Sequence, residues 1–383
     1  MTSPAVVPFL DLTREGNPLQ EEISTALRDV VLSGQFVLGP QVEQFEKTLA
    51  AYAGATEAVA CSSGSEALLM ALMALEIGPG DEVIVPSFTF FATASCVSRL
   101  GATPIFADMV PGTFNIHPES VAAKMTDRTR AIIAVHLFGQ SADMTALAQL
   151  AEKRGIVLIE DAAQAIGSEC VFRGETRRVG SMGRMACFSF YPTKNLGAMG
   201  DGGAITTCDA SLAERLRLLR GHGMKPRYFH QIIGINGRLD AFQGAVLNIK
   251  FRHLDRWTKA RCTLAAQYRE LFAQTGLDDD LITLPLVPDT GRHVWNQFSV
   301  RIHQGRRDAL RKYLLAQGVQ TEIYYPLGLH EQECFRSLGG RLGDLPVTEH
   351  ISREILALPI FPGLKPEEQE TVVRHITQFL RNI

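Results

Sequence analysis

The sequence of 383 residues lacks the features that mark several large classes of protein. Its net charge is only −3, so it has no basic field of the kind that binds nucleic acid. A membrane span needs about 18 consecutive apolar residues, and no run in the sequence is that long. The N-terminal stretch also has no basic start followed by an apolar segment. From these absences we expect a soluble cytoplasmic protein that binds neither nucleic acid nor a membrane.

Cysteine pairs and common nucleotide motifs are absent as well. The seven cysteines are scattered and contain no C-x-x-C pair, so we expect buried thiols, with neither a disulfide framework nor a metal site. The chain has no G-x-G-x-x-G motif after its first strand and no P-loop, which argues against a dehydrogenase or a P-loop kinase.

What the sequence does contain is an alternation of apolar strands and helices over residues 55–210. This alternation predicts an α/β fold in which helices flank both faces of a mostly parallel, mixed sheet. A helix predicted at 241–254 leads into a C-terminal part of mixed α+β pattern. In that part we predict strands at 297–302 and 321–325 and helices at 307–316, 347–356 and 367–381. We therefore divide the chain into a large domain, 1–250, and a small domain, 251–383.

Residues 185–206 are the most distinctive stretch. An apolar strand predicted at 186–190 is followed by Pro192 and a glycine-rich segment, 197–203, with Lys194 between them. A strand end joined to such a turn can provide the desolvation and the fixed position that a lysine needs to bind a cofactor covalently. Ser189, just before, could donate its hydroxyl to a phosphate. The alternative is an ordinary exposed loop lysine.

Two other predicted strands end in polar residues. The strand at 156–159 is followed by Glu160 and Asp161, and polar groups at the carboxyl ends of parallel strands face the ligand crevice. The strand at 58–61 is followed by SSGSE at 62–66 and an apolar helix, where free backbone N–H groups could bind an anion. Both sites have a plainer interpretation, because Asp161 and Ser65 could each simply cap a following helix.

The stretch around Lys194 also resembles a known family motif. SFYPTKNLG at 189–197, followed by GDGG at 200–203, is similar to the lysine motif of the DegT/DnrJ/StrS family of pyridoxal-phosphate sugar aminotransferases. Other segments resemble elements of that family in the same order along the chain: GQFVLGP at 34–40, GSE at 64–66, EDAAQ at 160–164, NGR at 236–238 and YYPLGLH at 324–330. Two details depart from the family pattern, since many relatives have Gly-Thr-Asp at 64–66 and a proline at Gly328. The resemblance implies the fold-type I aminotransferase fold.

The resemblance also assigns roles by position. Lys194 and Asp161 are the implied catalytic residues: Lys194 holds the cofactor and moves a proton, and Asp161 keeps the pyridine nitrogen protonated. The residues implied to bind the cofactor are Gly64, Ser65, Phe90, Asp161, Gln164, Ser189, Lys194 and Asn236. Those implied to bind the substrate are Arg238, Tyr325 and His330. Without the resemblance, Phe90 would be read as a core residue, and residues 236–238 as a loop turn with a solvated arginine.

The implied function is a pyridoxal 5′-phosphate-dependent transamination in amino-sugar biosynthesis. An amino acid, expected to be glutamate, donates its amino group to a nucleotide-linked keto-sugar. Residues 236–238 resemble an element that crosses a homodimer, so two shared active sites are also implied. Two alternatives stay open, namely transamination of a keto-cyclitol and a non-catalytic regulatory or binding protein on the same fold. Lys194 argues against the branch of the family in which a histidine replaces the lysine and the reaction is a dehydration.

Overall fold

The computed structural model describes residues 6–287 and 289–382. Residues 1–5, which belong to the stretch considered for a leader segment, lie outside the described residues. In the described ranges, none of the helices is both long enough and apolar enough to cross a membrane.

The strands are β1 (Glu57–Cys61), β2 (Glu82–Pro86), β3 (Thr103–Ala107), β4 (Thr129–Val135), β5 (Val157–Asp161), β6 (Glu169–Phe172), β7 (Glu175–Arg178), β8 (Met185–Ser189), β9 (Gly203–Thr207), β10 (Ile282–Thr283), β11 (Phe298–Ile302) and β12 (Ile355–Leu358). The helices are α1 (Thr13–Gly16), α2 (Gln20–Ser33), α3 (Pro40–Ala53), α4 (Gly64–Ala74), α5 (Ala92–Arg99), α6 (Pro118–Lys124), α7 (Met144–Arg154), α8 (Ala210–Leu219), α9 (Ala241–Phe251), α10 (Leu254–Thr275), α11 (Arg307–Ala316), α12 (Pro346–Glu354) and α13 (Pro366–Arg381).

A seven-stranded sheet of order β1-β9-β8-β5-β4-β2-β3 forms the centre of the larger part of the chain. The strands from β8 to β3 in this order are parallel, whereas β9 is antiparallel to both of its neighbours. Val135, Asp161 and Cys187 lie side by side in register on β4, β5 and β8. The carboxyl ends of the parallel strands therefore meet at one edge, where open α/β sheets bind ligands. The predicted α/β fold with a mostly parallel, mixed sheet is confirmed.

Helices cover both faces of this sheet. Successive side chains of β4 alternate between the two faces: Ile132 and Ala134 join the core that includes α3 and α7, and Ala131 and Ile133 join the core that includes α4, α5 and α8. Because both faces are buried, residues 131–135 of this strand form an unbroken apolar run. This is why the sequence pattern could identify the sheet.

A second sheet, of three antiparallel strands β10-β11-β12, lies in the C-terminal part with α10, α11 and α13 around it. Tyr268, Leu310 and Val372 are buried in its core, and the predicted smaller α+β part is confirmed. Val7 pairs with Val319 and joins the same core, so the segment before α1 contacts the C-terminal part of the chain. The boundary near residue 250 stays a prediction.

Two predicted elements of the C-terminal part are wrong. Residues 321–325 contain only an isolated bridge from Glu322 to Ala357 in place of a strand. The helix predicted at 347–356 ends at Glu354, because the buried run that follows pairs with β11 as strand β12. Hydrogen bonding to a distant strand, which a local pattern does not report, decides both cases.

The predicted helix at 241–254 is two helices. α9 ends at Phe251, and the 22-residue helix α10 begins at Leu254. The sequence pattern missed α10 because a buried arginine, Arg261, interrupts its apolar stripe. That arginine donates to the carbonyl oxygens of Trp295 (3.2 Å) and Ile360 (2.8 Å), so its burial depends on contacts with distant segments.

The cysteines follow the expectation of burial only in part. Cys61, Cys96 and Cys187 are buried, whereas Cys208 and Cys334 are exposed. Both exposed residues lie outside the strands and α-helices, Cys208 just after β9 and Cys334 in a short 3-10 helix. Among the residues that the structure describes, no group of three or more potential metal-binding side chains is found.

A buried ion pair joins α3 to the segment after α8. Arg220 Nη1 donates to Glu46 Oε1 (2.5 Å) and to Ala60 O (2.8 Å), and the same Glu46 oxygen accepts from the Ala60 N–H (2.8 Å). Both side chains are buried. The pair therefore fixes the edge strand β1 between two helices.

We predict that Arg220→Met lowers the free energy of unfolding by about 3–5 kcal/mol, because Glu46 is left buried and unpaired. Arg217→Met is the matched control, since Arg217 pairs with Glu57 at the surface with 42% and 32% of the two side chains exposed. The control should lose less than about 1 kcal/mol. Urea unfolding of both variants measures the difference, and equal losses would contradict the prediction.

Candidate active site

Lys194 lies in the loop that joins β8 to β9. The Phe190 N–H donates to Gly202 O and the Ala198 N–H donates to Phe190 O, both at 2.8 Å, so the loop folds back on the sheet edge. Lys194 is half-buried, and burial lowers its pKa to about 8 against the opposing effect of the negative charge of Asp161. No side chain in the described part of the chain forms a hydrogen bond with its amine. This environment differs from that of an ordinary exposed lysine.

Asp161 is buried at the carboxyl end of β5. Its Oδ2 accepts from the Thr93 hydroxyl at 2.9 Å, and its Oδ1 accepts from the Ala163 N–H at 3.2 Å. Burial raises the pKa of Asp161 despite these bonds and despite the positive charge of Lys194. Residues 162–168 form turns, so the interpretation of Asp161 as a helix cap is wrong. The structure brings Asp161 and Lys194 close enough for their charges to interact.

Gln164, Tyr325 and Phe90 form a second group of predicted residues. Gln164 Nε2 donates to Tyr325 Oη at 3.2 Å, and its Oε1 accepts from the Phe138 N–H at 2.7 Å. The Tyr325 ring lies 6.4 Å from that of Phe90 and 5.9 Å from that of Phe88. Phe90 is 57% exposed, so its interpretation as a core residue is wrong. An aromatic ring is thus open to a ligand beside Tyr325.

Gly64 and Ser189 meet where α4 begins and β8 ends. A Cβ atom added to Gly64 would lie 2.6 Å from Ser189 Cβ, so only glycine fits this contact. The N-cap of α4 is Ser63, whose hydroxyl accepts from the Glu66 N–H at 3.1 Å. The interpretation of Ser65 as the cap is therefore wrong, and its hydroxyl is not used in capping. The start of α4, together with the hydroxyls of Ser65 and Ser189, suits an anion.

Asn236 and Arg238 lie in the loop before α9. Arg238 Nε donates to Asn236 Oδ1 at 2.9 Å, and Asn236 is exposed. Gly237 O accepts from the Ser62 N–H at 3.1 Å, so this loop packs against the turn that precedes α4. The ligand roles of Asn236 and Arg238 stay predictions, and the ordinary loop turn stays the alternative.

His330 is less accessible than its predicted role as a substrate contact requires. The side chain is buried, with its Nδ1 2.7 Å from Ser87 Oγ and its Nε2 3.2 Å from Glu349 Oε1. Both ring nitrogens are engaged, so neither is free to contact a sugar. The contacts join the end of β2 to α12, which gives His330 a structural task.

Thr93 is a site residue that the sequence analysis missed. Its hydroxyl donates to Asp161 from 68 positions away in the chain, and no local pattern distinguishes it from other threonines of a helix start. The buried pair of His136 and Glu160 was missed for the same reason, with 3.0 Å between His136 Nε2 and Glu160 Oε2. Burial opposes ionisation of Glu160, but hydrogen bonds from His136 and from backbone amides keep its pKa below the ordinary value.

The arrangement as a whole can hold a planar, phosphorylated carbonyl compound. It combines an amine of lowered pKa, a buried carboxylate, an exposed aromatic ring and an anion site at a helix start. All four lie at or beside the carboxyl edge of the main sheet.

Comparison with known proteins identifies relatives of the whole chain. A relative from Geobacillus stearothermophilus, named pleiotropic regulatory protein, is 48% identical over 376 residues, 98% of this chain and 99% of that protein. The dTDP-3-amino-3,4,6-trideoxy-alpha-D-glucose transaminase of Streptomyces venezuelae is 44% identical over 378 residues, 98% of this chain and 97% of that enzyme. The crystal structure of S. venezuelae DesV in complex with a ketimine intermediate superimposes with a TM-score of 0.93 at 43% identity, covering 100% of both chains.

The family profile of the DegT/DnrJ/EryC1/StrS aminotransferases matches residues 17–377, which include every predicted site residue. The resemblance read from the lysine motif is thereby confirmed. The chain belongs to the DegT/DnrJ/EryC1/StrS aminotransferase family.

Proposed function

We propose that this protein is a pyridoxal 5′-phosphate-dependent aminotransferase that transfers an amino group from an amino acid to a nucleotide-linked keto-sugar. The observation that carries the proposal is the half-buried amine of Lys194 beside the buried carboxylate of Asp161. The transaminase from S. venezuelae, whose name includes a dTDP-linked amino-sugar, supports the class of acceptor. Family membership supports glutamate as the amino donor.

The residues present fit the cofactor. The lack of a Cβ atom at Gly64 brings Ser189 against the start of α4, where a helix N-terminus suits a phosphate, and the exposed ring of Phe90 can stack on a pyridine. Lys194 would hold the cofactor through its amine, Asp161 would face the ring nitrogen, and Gln164 would contact the ring oxygen. When bound, pyridoxal phosphate supplies a ring that accepts the electrons left on carbon after a proton is removed.

The protein's own residues perform the proton transfers. Because burial lowers its pKa to about 8, a large fraction of the Lys194 amine is neutral near that pH and can accept a proton from a substrate carbon. The Thr93 and Ala163 hydrogen bonds and the nearby amine favour the negative charge of Asp161, although burial raises its pKa. The pair therefore combines a base with a carboxyl group at one sheet edge.

We predict that Lys194→Ala abolishes transamination and borohydride trapping of pyridoxal phosphate while the protein stays folded. The assay follows 2-oxoglutarate formed from glutamate with a panel of nucleotide keto-sugars and keto-cyclitols. Lys259→Ala, at an exposed lysine of α10, is the control and should keep wild-type activity. Turnover with a keto-cyclitol alone would favour that alternative, and a wild-type protein inactive on the whole panel would favour the regulatory one.

Asp161→Asn should slow proton removal from the donor amino acid by about 100-fold, because loss of a buried charge partner costs ~2.7 kcal/mol. The substitution keeps the shape of the side chain but removes the charge that would hold the ring nitrogen protonated. Single-turnover deamination of glutamate at saturating cofactor measures the effect. An unchanged rate would assign Asp161 a different task.

We also propose a homodimer with shared active sites. Exposed apolar side chains are concentrated near the predicted site in the segments 31–37 and 228–233, where Leu32 is 78% exposed, Tyr228 74% and Ile233 90%. Exposed apolar groups of this density favour contact with another protein surface. A second copy of the chain would cover them and would bring Asn236 and Arg238 to the partner's cofactor phosphate and sugar nucleotide.

Subunit mixing tests this arrangement. Dimers of Lys194→Ala and dimers of the double variant Asn236→Ala/Arg238→Ala should each be nearly inactive. A mixed dimer carries both lesions in one site and leaves the other intact, so it should recover about half of wild-type activity. If verified mixed dimers show no recovery of activity, Asn236 and Arg238 act in the site of their own subunit or in neither site.

A further inference from the structure

The loop that carries Lys194 is held by side chains from outside it. Asn195, the next residue, is buried, and its Nδ2 donates to Val294 O at 2.9 Å. Its Oδ1 accepts from Asn296 Nδ2 at 3.0 Å, and Asn296 is buried as well. The side-chain amide of Asn195 thus forms both hydrogen bonds, one as donor and one as acceptor, with the same short segment about 100 positions further along the chain.

That segment, residues 293–296, is itself firmly anchored. The Val294 N–H donates to Gly139 O and the Asn296 N–H donates to Phe138 O, both at 2.9 Å. The rings of His293 and Trp295 are stacked at 3.7 Å. Because these hydrogen bonds and the ring stacking hold the segment, it is a rigid support for the loop that Asn195 joins to it.

The same segment reaches the other side of the candidate site. Phe138, whose carbonyl accepts from Asn296, donates its own N–H to Gln164 Oε1 at 2.7 Å. A continuous set of hydrogen bonds therefore runs from Asn195 through Asn296 and Phe138 to Gln164. It joins the loop of Lys194 to the residue expected to contact the cofactor ring.

We propose that Asn195 and Asn296 are positioning residues that hold Lys194 in a fixed relation to Gln164. The proposal rests on the function proposed above and adds two residues to which no role has been assigned. Neighbouring contacts act on the far side of the loop, where Lys250 Nζ donates to Gly197 O at 2.7 Å and Gln243 Oε1 accepts from the Met199 N–H at 2.9 Å. The amide pair is the contact adjacent to the lysine itself.

A fixed loop has two chemical consequences. It keeps the amine at the reacting atoms, where a misplacement of the order of 1 Å can cost about 100-fold in rate. It also keeps the amine partly away from water, and this burial lowers its pKa. If the loop is released, turnover should therefore fall, and the pKa of Lys194 should rise towards that of an exposed lysine.

The test compares Asn195→Ala, Asn296→Ala and the double variant with a matched control, Asn248→Ala. Asn248 Nδ2 also donates to a backbone carbonyl, that of Gln41 at 2.9 Å, but it lies on α9, and its hydrogen bonds join α9 to α3. Asn195→Ala removes two hydrogen bonds, whereas Asn296→Ala removes one and leaves the bond to Val294. If Asn195→Ala does not fold, Asn296→Ala alone decides the question.

The first measurement is amide hydrogen exchange over residues 190–203 in the full chain without added cofactor. Exchange should rise by about 10-fold in Asn195→Ala and Asn296→Ala and stay unchanged in Asn248→Ala. The second is the pH dependence of the rate at which Lys194 reacts with pyridoxal phosphate, trapped with borohydride. Its midpoint should rise by about one pH unit in the two loop variants. A pair that only stabilises the fold would lower the thermal midpoint without moving this pH midpoint.

Steady-state kinetics completes the test. The value of kcat should fall about 10-fold with the KM for the amino donor within about 2-fold of wild type, and the double variant should be no slower than Asn195→Ala. Wild-type exchange and an unshifted pH midpoint in Asn296→Ala would overturn the proposal. If the wild-type protein is inactive with every acceptor, the proposed function fails, while hydrogen exchange and the lysine titration still decide whether the amide pair fixes Lys194.

Discussion

The burial of a carboxylate at the carboxyl edge of the main sheet is the constraint on which the candidate site depends. Burial alone would drive Asp161 towards its neutral form. The Thr93 hydroxyl, the Ala163 amide and the charge of Lys194 oppose this, and they come from three different parts of the chain. Each partner must be placed correctly to favour the charged form of Asp161, so the electrostatics of the site depend on the fold.

Strand order explains how those partners meet. β5 lies between β4 and β8, so the loop that follows β8 emerges beside the end of β5. The amine of Lys194 is partly buried there and has a lowered pKa, which suits a base but makes its position sensitive to the surrounding loop. The hydrogen bond from Asn296 to Asn195 joins this loop to the C-terminal part of the chain. The lysine thus depends on sequence segments far from its own motif.

Much of this arrangement could be predicted. Strand ends, glycine-rich turns and helix starts have local signatures, which made Lys194, Asp161 and the turn at Gly64 candidates, and the family resemblance supplied their expected roles. The sequence did not reveal that Ser87 and Glu349 engage both ring nitrogens of His330, because a motif position carries no information about such distant contacts. Ser65 was offered as a helix cap, yet Ser63 takes that position, because its backbone is extended and its hydroxyl accepts from the Glu66 N–H.

By itself, the sequence determined the alternation of buried strands and helices, the class of fold and the lysine motif, because each depends on neighbours within a few turns of the chain. Only the tertiary structure decided which residues support that motif. Thr93 reaches Asp161 across 68 positions, and Asn296 reaches Asn195 across 101. Hydrogen bonds of this range depend on the packing of distant segments, so they leave no periodic pattern in the sequence.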